Sequence, residues 1–172
     1  MVQTIPTRWR AALVAASLAL PAAAQTATYS WFGAPGTVGC SPVGPAIVHS
    51  VVAPPRLGAT FTAQVPVSTG DCGYLCHLSL FATGLSEASF GGSPLPIAVG
   101  PSNCGALRVS LDRIEWMPFG GLGATAPSTL AIPSTPSLVG FEFFQQPFTM
   151  TFVLGGLQAI SFGRAGRGVV GY

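Results

Sequence analysis

The densest grouping of reactive side chains in this 172-residue chain is Asp71-Cys72-Gly73-Tyr74-Leu75-Cys76-His77. Two thiols and an imidazole are soft ligands of the type that hold zinc, but such a site normally takes four ligands at recurring spacings. The other candidates, Cys40, His49 and Cys104, are scattered along the chain. Outside the cytoplasm a disulfide competes for the same sulfurs, so a disulfide-closed turn, with no metal, is the expected use of the segment. His49 or His77 could also join Asp71 or Asp112 and one of many serines in a nucleophile–histidine–carboxylate set. No Gly-x-Ser-x-Gly elbow exists to expose such a serine. His49, between Val48 and Ser50, is expected on the polar side of a strand, and His77 on the face that carries Ser79 and Phe81.

Glycoside hydrolysis needs two carboxylates at a set separation. Asp71, Glu87, Asp112, Glu115 and Glu142 are the whole supply, and no spacing singles out a pair. Calcium loops rich in Asp and Asn are absent. Tyr29, Trp31, Tyr74 and Trp116 are the aromatics that could stack on a sugar ring, with Trp31 and Trp116 the preferred glycan contacts, although aromatics of a small β domain mostly fill its core. All seven basic residues are Arg and none is Lys. Schiff-base chemistry, a Walker-type phosphate loop and a lysine isopeptide crosslink are thereby excluded. Catalysis and cofactors are therefore not expected.

The elements that would position these residues begin after a leader. Arg8 and Arg10 precede the apolar run Ala11–Leu20, and Ala22-Ala23-Ala24 offers the short side chains a signal peptidase requires. Residues 1–24 read as a secretory signal with Gln25 the first mature residue. Ten apolar residues rise only about 15 Å as a helix, too little for a bilayer. No later segment reads as a span. The remaining five Arg balance five acids, so the mature chain is formally neutral and shows no footprint for nucleic acid or anionic lipid. Neutrality also removes like-charge repulsion between copies. Export makes two disulfides the expected state of Cys40, Cys72, Cys76 and Cys104. Of the three pairings, Cys72–Cys76 as a small loop and Cys40–Cys104 as a long tie is the one favoured.

Short apolar stretches broken by Gly, Pro and Ser predict strands at 28–32, 46–52, 59–65, 75–83, 105–111, 113–117, 138–145, 148–154 and 157–162. Period-two alternation is clear in Phe148, Met150, Phe152 and Leu154, and in Leu107, Val109 and Leu111. No helical period persists over three turns. One all-β domain over 25–172 is expected, an antiparallel β-sandwich, jelly-roll-like, of about nine short strands. Residues 126–137 read as a proline-rich connection whose Ser and Thr could carry O-linked sugars. The run Gly163–Gly168 has too few arginines for an RNA-binding repeat.

The succession Val38-Gly39-Cys40, Pro55-Arg56-Leu57-Gly58-Ala59-Thr60-Phe61, Leu95-Pro96-Ile97, Asn103-Cys104-Gly105-Ala106-Leu107, Ile132-Pro133 and Ser137–Gln145 resembles an uncharacterised β-sandwich domain of secreted bacterial proteins. The resemblance spans nearly all of the mature chain. It implies an extracellular location, a sandwich and a Cys40–Cys104 tie, and carries no catalytic residue. Cys72 and Cys76 depart from its pattern.

The functional expectation is a secreted structural or interaction module, without enzyme activity. In its sharper form it is an extracellular filament or surface-layer subunit that self-associates through its N-terminal strand, with Ala27, Tyr29 and Trp31 on one side. A cell-surface carbohydrate-binding module is the alternative, and a small secreted hydrolase the second.

Overall fold

The structure, a computed structural model, describes residues 25–36, 46–67, 75–99, 103–118 and 124–172. The expected leader, Cys40, Asp71, Cys72 and Tyr74 lie outside the described residues. Within them the chain is all-β: β1 (Thr28–Phe32), β2 (Ser50–Ala53), β3 (Thr60–Pro66), β4 (Leu75–Gly84), β5 (Ser89–Phe90), β6 (Ser93–Pro94), β7 (Asn103–Cys104), β8 (Arg113–Trp116), β9 (Thr125–Ala131), β10 (Glu142–Val153), β11 (Gly156–Phe162) and β12 (Ala165–Val169). The described residues contain no α-helix, only one 3-10 turn at Pro136–Leu138.

A seven-stranded sheet is organised around β10. Its partner β4 pairs with it from Phe144 to Val153 on one edge. The opposite edge is shared, β11 pairing Phe148–Val153 and β12 pairing Glu142–Gln145. The sheet therefore forks. Beyond β11 lies the short parallel strand β7, beyond β12 lies β1, and on the far side of β4 lies β8. A second, three-stranded sheet runs β2-β3-β9, and β5-β6 is a separate hairpin.

Pro147 sits in the middle of β10, where a missing N–H should interrupt a ladder. Its carbonyl accepts from Gly163 N at 2.7 Å. N–H and C=O of one strand residue point to the same edge, so the absent donor faces the Gly163-Arg164 gap between β11 and β12. This corrects the expectation of two strands at 138–145 and 148–154: one strand passes through the proline, and Leu138 belongs to the 3-10 turn.

Two cores lie on opposite faces of the large sheet. Phe81 and Phe143 from the large sheet, Phe61, Ala63 and Val65 from β3, and Ile132 and Val170 form the first, between the two sheets. Leu80, Ala82, Phe144, Phe148, Phe162 and Ala165 form the second with Leu107 and Val109. The predicted strand 105–111 is a further correction. Its alternation is real, with Leu107 and Val109 buried, but Leu107 pairs only with Ile97 in an isolated bridge. Arg108 N donates instead to the side chain of Gln146 (2.8 Å), and Ser110 N to Ser86 O (2.8 Å). The segment is an irregular cover held by side chains, which periodicity cannot distinguish from a strand. Of residues 126–137, expected as a connection, 126–131 belong instead to strand β9, in register with β3 from Thr60↔Ala131 to Pro66↔Thr125.

Candidate functional site

Tyr29 enters the first core from β1, and its ring stacks on Phe61 at 5.4 Å. Its position depends on β12. Tyr29 and Phe143 flank Gly168, while Trp31 and Gln145 flank Gly166. A Cβ at 166 would collide with the Tyr29 hydroxyl and ring, and one at 168 with the Phe143 ring. The glycines leave a floor across which the two rings lie. The segment resembling an RNA-binding repeat is thus an interior strand whose glycines are required by its neighbours.

Across that floor Tyr29 Oη meets His49 Nε2 at 2.6 Å and Gln145 Oε1 at 3.2 Å, and Gln145 Nε2 donates to Thr83 Oγ1 at 3.2 Å. A tyrosine hydroxyl has one proton. With that proton on Gln145, His49 is the Nε2–H tautomer donating to Tyr29, and the chain runs His49 to Tyr29 to Gln145 to Thr83 in one direction. His49 Nδ1 then is a bare acceptor, buried and without a partner. His49 is 4% exposed, packed edge-on against Tyr29 and Phe81. Burial lowers its pKa to about 4 and pushes that of Tyr29 above its ordinary value. Both groups are neutral at pH 7. The network joins β1, the approach to β2, β10 and β4.

This corrects the placement of His49. Val48 is the exposed residue and His49 the buried one, the reverse of the expected phase. Hydrophobicity alone favours Val48 inside. The buried Tyr29 hydroxyl, which needs a partner, reverses the choice. His77 does lie on the face of Ser79 and Phe81, half-buried, with Nδ1 3.0 Å from Thr151 Oγ1 on the facing strand. Burial lowers its pKa. Each histidine is thus bonded to a hydroxyl, and the described residues bring neither to a carboxylate.

Three of the acids are spent elsewhere. Asp112 accepts from Ser110 Oγ (2.6 Å) and Leu85 N (2.8 Å), and these two bonds hold its pKa below the usual carboxylate range. Glu115 pairs with Arg113 and accepts from Ser128 Oγ, while Arg113 Nη1 donates to Thr129 O at 3.3 Å. This ties β8 of one sheet to β9 of the other. Glu142 pairs with Arg167. No group of three or more His, Cys, Asp or Glu suited to a metal occurs among the described residues.

Trp31, 40% exposed, and Trp116, 66% exposed, are not brought together. They stand on β1 and β8, four strand steps apart, about 19 Å. Trp31 shares the Tyr29 side of the sheet, whereas Trp116 is opposite Leu80 of the second core. They form no common sugar platform.

Cys76 and Cys104 are both disulfide-bonded, and no described cysteine is free. Cys76 is opposite Phe152 on β10, whereas Cys104 lies beside Ser161 of β11, which is opposite Thr149. Three strand steps, about 14 Å, separate them before any offset along the strands, beyond the roughly 7 Å a disulfide allows. They are not bonded to each other, which removes one of the three pairings. The other half of each bridge lies outside the described residues.

Compared with known proteins, the chain matches no family model, no curated protein and no solved structure.

Proposed function

We propose that this chain is an exported, non-catalytic structural module that self-associates head to tail through the two lateral edges of its large sheet. One observation carries the reading: among the described residues, β1 and β8 close opposite sides of that sheet, and each is paired along one edge only. An unpaired edge presents a row of N–H and C=O groups to another strand, and edges are commonly protected by lysine, which this chain lacks. β1 offers Ser30 and Trp31 at its surface, and β8 offers Ile114 and Trp116. The N-terminal strand is built into its own sheet, with Tyr29 in the core, so it joins a neighbour by its open edge and is not donated whole. Pairing β1 of one copy with β8 of the next continues the sheet without closing, and so propagates.

Sedimentation and electron microscopy of residues 25–172 test this with Ser30→Lys and Ile114→Lys, each of which charges one edge. The unaltered protein forms oligomers that grow with concentration, each variant alone stays monomeric, and an equimolar mixture forms one-to-one pairs through the two intact edges. A monomer at every concentration for the unaltered protein overturns the reading.

A further inference from the structure

The hairpin joining β10 to β11 turns at Leu154-Gly155, both in the left-handed region, with φ of 49° and 78°. Such a two-residue turn ordinarily takes Asn-Gly or Asp-Gly, because the Cβ of other residues crowds the following carbonyl. Leucine accepts that strain here and gains no burial for it, being 77% exposed. Its neighbours are also apolar. Val153 is opposite Leu75, Leu157 is opposite Phe152, and Leu75 and Leu157 are exposed. No Asp, Glu, Lys or Arg occurs between Glu142 and Arg164, or between Asp71 and Glu87.

Among the described residues the end of this hairpin is apolar and uncharged, aliphatic apart from Phe152. Among those residues it carries no arginine and no charge to complement a protein partner's, and its one aromatic, Phe152, is partly buried. A fluid apolar phase needs neither, because it moulds itself to the protruding side chains. We propose that the Leu154 turn is a lipid-inserting prong that docks the protein onto a neutral bilayer, seating Leu75, Val153, Leu154 and Leu157 at the boundary between headgroups and acyl chains. Strand pairing extends to Val153↔Gly156 and Val153↔Leu75, so the backbone inside the hairpin is paired, while the turn and the outer edges of β4 and β11 beside it keep their backbone groups in the hydrated interface. The tip lies eight residues along β10 from Gln145, about 25 Å, where β12 and then β1 pair. Docking therefore leaves the β1 edge free, and the proposal stands or falls apart from self-association.

The test is flotation of residues 25–172 with phosphatidylcholine vesicles at pH 7.5, in low and high salt, alongside Leu154→Asn and Leu154→Trp. The unaltered protein floats equally at both salt concentrations, since no charge is involved. Leu154→Asn binds about tenfold more weakly or less, from the loss of one mostly exposed leucine. Its melting temperature is unchanged or raised, because asparagine suits the turn, so the loss is not unfolding. Leu154→Trp binds, and its added emission shifts to the blue with vesicles. Failure of the unaltered protein to float, or equal flotation of Leu154→Asn, overturns the proposal. So does lipid-free dimerisation abolished by Leu154→Asn without any flotation, which assigns the tip to a second copy.

Discussion

His49 gives the sharpest handle on the interior, because its protonation is opposed by everything around it. The ring is buried against Tyr29, Trp31 and Phe81, its Nε2 is committed to Tyr29, and no carboxylate faces it. The folded pKa is about 4 against 6.5 for a free imidazole. Between these values the unfolded chain binds a proton that the folded chain refuses, so stability falls as pH falls from 6.5 and levels off below about 4. Above pH 6.5 the histidine contributes no slope. Roughly 2.5 pH units at about 1.4 kcal/mol each amounts to about 3 kcal/mol. That is a large share of the 5–15 kcal/mol typical of a domain. His49→Phe removes the titration while leaving Tyr29 its bond to Gln145. Urea unfolding of both proteins at intervals from pH 7.5 to 4 should show the difference between them narrowing by about 3 kcal/mol, the unaltered protein losing the more. His77 titrates in the same sense but is present in both and cancels. Asp112, held below the usual carboxylate range, loses its contribution only as pH falls to 3.8 and below. A difference curve flat across this window, or an NMR titration of His49 centred near 6.5, would refute the reasoning.

Further outcomes follow from the same interior. Gln146 is fully buried, accepting from Arg108 N (2.8 Å) and donating to Ala106 O (2.9 Å) and Gly163 O (2.8 Å), so Gln146→Leu strands three backbone groups and should cost about 3 kcal/mol or more in chemical denaturation. Gly168→Ala forces the Phe143 ring aside and should cost about 1–3 kcal/mol by the same assay, while Gly91→Ala, with open space around it, loses only the backbone strain of its positive φ. Peptide mapping without reduction should find no Cys76–Cys104 bridge. Cys40–Cys104 is the expected long tie: Gly36 N donates to Phe162 O, a Cβ at Gly36 would press on the Cys104 carbonyl, and Ile47 N returns to Gly36 O, so the chain on either side of residues 37–45 meets beside Cys104.

Legibility in the sequence followed the backbone's own periodicity. Thr28–Phe32 forms β1 with the expected bounds, and the strands at 60–66, 75–84, 113–116 and 156–162 fall within a residue of expectation, because alternation reports a half-buried strand directly. Where that signal was silent or misleading, a neighbour decided. Strand β12 is spelled Ala-Gly-Arg-Gly-Val, a poor strand by composition, and exists because Tyr29 and Phe143 fill the space above its glycines. Residues 105–111 alternate well and still form no ladder, because the Gln146 side chain takes the hydrogen bond a partner strand would have offered. The candidate site was the least legible part. His49 was visible as a candidate base, but nothing local to Val48-His49-Ser50 indicates that a tyrosine twenty residues upstream will draw it inside.

By itself the sequence determined an all-β chain without lysine, poor in charge and rich in turn residues, since composition and period-two patterning are properties of the chain before it folds. Only the tertiary structure decided which way the consecutive glutamines face. Gln145 turns to the Tyr29–His49 seam and Gln146 to the irregular cover on the opposite side, since adjacent strand residues point to opposite faces and both faces here are buried. It also decided that the histidines bond to hydroxyls, that Trp31 and Trp116 stand on separate edges, and that a strained leucine projects from the end of the long hairpin. Each of these depends on which distant segment arrives alongside, and pairing partners far apart in sequence leave no trace in local pattern.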